Sequence, residues 1–187
     1  MLSLADLMAL IPLPSSEDRL LDLPQGAWTP TAFSNAARDL LRQAGLTVSI
    51  CTTGQTVPPL GPDVRFQYTS EYLSVLEHAI DDLTVVVVVE QNRVIGYGIA
   101  CLRDTGSHIE IIDVDRFSRR SAGLELRITF GAAVFGVGVA HLVVDSLVST
   151  VSRPCLVDAT NTDSRYVFKS LGLIPRGDGN PCLLELR

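Results

Sequence analysis

The run Thr84-Val85-Val86-Val87-Val88-Val89 constrains this chain more than any other stretch. Six consecutive β-branched side chains would crowd the preceding turn of a helix and lose rotamer freedom there. No polar residue alternates with them, so the run reads as a strand buried on both faces. Such a strand needs apolar layers above and below it. Gln91-Asn92 turns the chain back into Val94–Leu102, the return strand of a hairpin. Asp104-Thr-Gly106 makes another turn before an apolar strand from His108 to Val114. Three successive antiparallel strands therefore form the centre of a sheet.

Around that centre the pattern alternates helix and strand. An amphipathic helix is expected over Ala32–Gln43, stopped by Gly45, followed by a strand over Leu46–Thr52. Gly54–Pro62 holds three prolines and two glycines and reads as loop. The next helix begins at Ser70, with Tyr72, Leu73, Leu76 and Ile80 on its apolar side and His78 beside that face. After Val114 a helix is expected from Gly123 to about Phe135, then a second or kinked one to Val148. Gly131, Gly136 and Gly138 interrupt that run, each costing roughly 1 kcal/mol against alanine. A strand over Cys155–Ala159, a helix over Asn161–Leu173 and a closing hairpin over Pro175–Arg187 complete the chain. The fold class expected is α+β, a mostly antiparallel twisted sheet with helices on both faces.

At 187 residues the chain fits one domain, 1–187. Residues 84–187 form its core, and 1–54 are an N-terminal addition too short to hold a core alone. Leu2, Leu4, Leu7, Leu10 and Ile11 line one face of a short helix. That face either folds onto its own domain or meets a partner, a second copy making a homodimer. The net charge of −6 argues against general nucleic-acid binding. Cys51, Cys101, Cys155 and Cys182 are scattered, so buried free thiols are expected and no metal site. No secretory signal and no apolar run near the ~20 residues of a membrane span is visible, which points to the cytoplasm.

The chemistry-bearing residues cluster after His108. Asp-Arg-Phe-Ser-Arg119-Arg120-Ser121-Ala122-Gly123 follows the strand and opens into Leu124-Glu-Leu-Arg-Ile-Thr-Phe. A helix start presents unpaired N–H groups and the positive end of the helix dipole, which suits phosphate, and two arginines add charge. Arg120-Ser-Ala-Gly123-Leu-Glu125 resembles the Gln/Arg-x-x-Gly-x-Gly/Ala loop of the Gcn5-related N-acetyltransferase superfamily, departing at Glu125. Asn161, Ser164, Phe168, Gly172 and Leu173 hold the spacing of that family's later helix.

The resemblance implies an N-acyltransferase that transfers acetyl from acetyl-CoA to a small-molecule or protein amine, with no metal. It assigns the diphosphate to Arg119, Arg120, Ser121, Ala122, Gly123 and Leu124, and the pantetheine arm to Val114, Asn161, Ser164 and Phe168. In the family the strand at Asp113–Val114 splays from its neighbour and frees backbone groups for the arm. Glu110, placed by strand alternation on the face of Ile112 and Val114, is the candidate base, with burial expected to raise its pKa. Asp113, on the opposite face, is the second candidate, and His108 a weaker one. Ser164 through a water is the candidate proton donor to the thiolate, because Phe168 stands where many relatives have tyrosine. That phenylalanine also suits an alternative, a fold retained as a CoA- or partner-binding module without turnover.

Overall fold

The computed structural model describes residues 29–52, 55–77, 82–115, 126–130, 133–177, 179–180 and 182–187. The expected helix within 1–13, His78 and the whole of Arg119–Leu124 lie outside them.

Helix α1 (Pro30–Gln43) starts where the Thr29 hydroxyl accepts from the Ala32 N–H at 3.1 Å and proline occupies the first turn. It ends before Gly45, whose φ of +83° only glycine takes without strain. Strand β1 (Leu46–Cys51) and helix α2 (Thr69–Glu77) precede three antiparallel strands, β2 (Leu83–Glu90), β3 (Arg93–Arg103) and β4 (Gly106–Val114). The β2–β3 turn places Gln91 and Asn92 at positive φ, as a tight hairpin requires. Then come β5 (Leu126–Phe130), β6 (Ala133–Val137), helix α3 (Val139–Thr150), β7 (Cys155–Asp158), helix α4 (Thr162–Ser170), β8 (Ile174–Pro175) and β9 (Leu183–Leu186).

Seven strands form one sheet in the order β1-β2-β3-β4-β7-β9-β8, antiparallel except where β4 meets β7. The valine run behaves as its composition demands. Val86 and Val88 enter the apolar layer under α1, α3 and α4, whereas Val85 and Val87 enter the layer under α2 and residues 57–66. The expected α+β architecture with helices on both faces is present.

The helix expected over 123–135 is not. Its described part is a two-stranded hairpin, β5 paired with β6 from Leu126↔Val137 to Phe130↔Ala133, and helix begins only at Val139. Ile128-Thr129-Phe130 and Val134-Phe135 are strand formers, and Gly136 and Gly138, which would each weaken a helix, instead fall near the end of β6 and at the cap of the helix. Of the cysteines, Cys51 and Cys155 are buried, while Cys101 and Cys182 are partly exposed; all four are free. Leu73 faces solvent rather than the apolar side of α2.

Helix α3 lies unusually close to β3. A Cβ on Gly98 would sit 2.6 Å from Val143 Cγ1, 2.7 Å from Leu147 Cδ1 and 2.8 Å from Ile112 Cδ1. On the outer side α3 is fastened to α1, where Ser34 and Arg38 both bond the Asp145 carboxylate, Arg38 at 2.6 Å. Gly98→Ala is expected to destabilise the fold by about 1–3 kcal/mol through overpacking. Urea denaturation checks this, and an unchanged midpoint would mean that α3 can move off the sheet.

Candidate functional site

Strands β4 and β7 run together for only three residue pairs, Ser107↔Cys155, His108↔Leu156 and Ile109↔Val157. Beyond them β4 continues to Val114 with no strand on that side among the described residues. The register with β3 shifts at the same place, Ala100 opposing Ile109 and Ile99 opposing Ile111, which leaves Glu110 as a bulge. A bulge bends its strand and increases local twist, and this one falls where the pairing with β7 stops. The edge thus exposed offers amide donors and acceptors to an extended ligand.

The start of α3 stands beside that edge. A Cβ on Gly96 would stand 2.5 Å from Val139 Cγ1 and 3.5 Å from the Asp113 carbonyl oxygen, so the first helical residue packs near the end of β4. Before it, along Gly136-Val137-Gly138 at the end of β6, nothing among the described residues lies within 4 Å of where a Cβ would stand on either glycine. A ligand can therefore approach this backbone closely, at a helix end carrying unpaired N–H groups and partial positive charge. Helix α4 completes the wall, since Tyr166 Oη donates to the Gly136 carbonyl at 2.8 Å.

The phosphate-loop residues named from sequence, Arg119, Arg120, Ser121, Ala122, Gly123 and Leu124, fall outside the described residues. Ala133-Val-Phe-Gly136-Val-Gly138 meets the same spacing with both glycines, with alanine in place of Gln or Arg, and opens directly into helix. A Gly-x-Gly immediately before an apolar helical run was the signal for it.

Glu110 is displaced by the bulge. Strict alternation put it with Ile112 and Val114, but those two pack toward α3, while Glu110 lies with Cys101 and Arg103. Its carboxylate accepts from Arg103 Nη2 at 2.5 Å and Cys101 Sγ at 3.0 Å and is part-exposed, not buried among apolar neighbours. Asp113 is then on the same side as Glu110, not opposite. It is 1% exposed and accepts from the backbone N–H groups of Tyr68 and Val114, both at 2.8 Å. Asp115, which sequence reading passed over, is fully buried and accepts from Arg65 N and Arg93 Nη2, each at 2.8 Å. Tyr97 Oη donates to the Tyr68 carbonyl at 2.6 Å. Burial first, and the Asp113 carboxylate second, push the Tyr97 phenol well above its ordinary range. Together these groups pin residues 65–68 over the end of β4.

On α4, Asn161 Oδ1 accepts from Ser164 N at 2.8 Å as the helix cap, and Ser164 Oγ donates to the Asn161 carbonyl at 2.9 Å. The Asn161 amide nitrogen keeps its donors, whereas the Ser164 proton is engaged. Phe168 is 2% exposed in the core. His141, in the first turn of α3, is buried between Phe33 and Tyr166, each ring 5.5 Å away. Desolvation lowers its pKa to about 4, against a weaker opposing effect of its bond to Gly138.

Two outcomes follow. Asp115→Ala leaves Arg93 and the Arg65 amide without their acceptor and is expected to cost about 3 kcal/mol, read from urea denaturation. His141 binds a proton in the unfolded chain below its ordinary pKa of 6.5 but not in the folded one until about 4. Folding stability is therefore expected to fall as pH drops through that window, by roughly 1.4 kcal/mol per unit. Thermal melting should show a shallower decline for His141→Leu than for the natural chain; equal slopes would contradict the assignment.

No protein-family model matches the chain, and no curated protein matches it. Among solved structures it is similar to AtaTR bound with AcCoA, at 19% identity and a TM-score of 0.43 over 76% of this chain and 93% of that one. It is similar to AtaT complexed with acetyl-methionyl-tRNAfMet, at 17% and 0.44 over 75% and 94%. The KacTA–DNA complex is a third, at 16% and 0.44 over 75% and 92%. The expectation of no general nucleic-acid binding, drawn from net charge, is corrected here, because two of these three structures contain DNA or tRNA. A summed charge describes the whole surface and not any one patch. With β4 parted from β7 beside a Gly-x-Gly helix start, the chain resembles the Gcn5-related N-acetyltransferases.

Proposed function

We propose that this protein is an acyl-CoA-dependent N-acyltransferase that moves acetyl from acetyl-CoA to an amine. The observation that carries the reading is the edge of β4 beyond Ile109, unaccompanied by β7, lying against the open glycine turn of α3. An amide-bearing arm ending in a diphosphate fits that pair of features, the arm against the strand edge and the diphosphate at the helix start. Val114 and Asn161 flank the arm; neither Gly136 nor Gly138 has a side chain to obstruct the phosphates.

Acetyl-CoA supplies an activated carbonyl. The amine nitrogen bonds to that carbon, the carbon–sulfur bond breaks, and the nitrogen loses a proton. Glu110 is the proton acceptor of this reading, directly or through water, on the face of the sheet shared with Tyr97 and residues 65–68. Asp113 has its carboxylate taken up by backbone amides and serves the shape of that face. The thiolate leaves without an assigned acid, since a thiolate is a tolerable leaving group.

The buried Phe168 and the engaged Ser164 hydroxyl favour a second reading, a module that binds CoA or a partner protein without turnover. Binding and thiol release separate the two. Acetyl-CoA should raise the melting temperature, and thiol release should depend on an added amine. The panel includes an aminoacyl-tRNA, because one similar protein is a complex with acetyl-methionyl-tRNA. Glu110→Gln should lower kcat about 100-fold. CoA binding with no amine-dependent thiol supports the module, and no binding at millimolar acetyl-CoA sinks the transferase and the CoA-binding form of the module alike.

A further inference from the structure

The first turn of α3 carries a polar group that the acyl-transfer reading leaves unused. His141 is 4% exposed, its Nε2 has no partner among the described residues, and its Nδ1 accepts from the Gly138 N–H at 3.1 Å. The bond is reciprocated, because the His141 N–H donates to the Gly138 carbonyl at 3.0 Å. Nδ1 is an acceptor, so the ring is neutral and Nε2 carries the proton. A buried donor left without a partner is costly, and leucine would fill this apolar layer without that cost. What the imidazole supplies, and leucine does not, is the acceptor at Nδ1.

Helices commonly place Glu or Gln at the third position to bond back to the cap residue's N–H. His141 makes that bond without a negative charge. A carboxylate there would oppose an anion held at the same helix end, whereas a neutral ring leaves the positive end of the dipole undiminished. Two residues earlier in the turn, Tyr166 Oη donates to the Gly136 carbonyl and draws that oxygen to the protein side. One side chain thus takes a donor of the turn and the other an acceptor. The two side chains touch each other in an edge-on ring pair. Phe33 of α1 closes the far side of the imidazole, so the packing of α1 bears on the turn.

We propose that His141 and Tyr166 are positioning residues that hold Gly136-Val137-Gly138 at its two ends and so shape a charge-neutral cradle for the acyl-CoA diphosphate. The proposal rests on the acyl-CoA reading of the site. Neither side chain touches the reacting atoms; each acts through the backbone of the turn.

The test measures Kd for CoA and for pantetheine, which lacks the diphosphate, on the full chain. His141→Leu and Tyr166→Phe should each weaken CoA about tenfold, the equivalent of one lost hydrogen bond, and leave pantetheine unchanged. His141→Gln, a neutral acceptor at the same position, should restore CoA to within about threefold of the natural chain. Thermal melting accompanies each variant. Should His141→Leu fail to fold, Tyr166→Phe decides, because it removes one hydroxyl and keeps the ring. If the natural chain binds no CoA, the acyl-CoA reading itself fails. If the natural chain binds CoA and the variants bind it equally well, or lose CoA and pantetheine alike, the clamp is overturned.

Discussion

Strand β4 must satisfy β3 along its whole length and β7 along only its first half, and the rest of the structure is arranged around that inequality. Parallel neighbours need a long crossover, and this one carries the β5–β6 hairpin, the glycine turn and α3 before β7 begins. The bulge at Glu110 falls where β4 keeps its bonds to β3 and its pairing with β7 stops. A sheet with an unpaired stretch inside it is normally a liability. Here the stretch lies beside a helix start, and that juxtaposition is what the proposed acyl-CoA site is built on.

The walls of that site are held by polar groups that cannot reach water. Asp113, Asp115 and Tyr97 each bond backbone of residues 65–68, and Arg93 neutralises Asp115. Removing any one partner would strand a buried charge or dipole, so the segment over the end of β4 is held in one arrangement. On the other face Asp145 joins α3 to α1. The glycines of β3 let α3 settle against the sheet, and its first residue is thereby brought to the end of β4.

Much of the fold was legible because its signals are local. The valine run, the Gln91-Asn92 turn, the Gly45 stop of α1 and the Asn161 start of α4 each act within a few residues. Misreading Gly123–Phe135 as helix came from weighing apolar content over glycine spacing; Ile128, Thr129, Phe130, Val134 and Phe135 were strand formers in plain view. Once those residues are strands, the helix start moves to Val139 and the glycine turn moves with it. Glu110 was misplaced for a different reason. Alternation counts residues, and a bulge adds one that only the partner strand can reveal.

The amino-acid sequence alone determined that a both-faces-buried strand lies inside the sheet, where the turns fall and which helix is capped by Asn161. Short-range sterics and hydrogen bonding decide those matters within one segment. Tertiary structure alone decided that β4 parts from β7 after Ile109, and that Asp113 is a buried brace. It likewise decided that His141 and Tyr166 meet under the glycine turn. Each of these depends on pairing or burial between residues far apart in the chain, and no local pattern carries that information.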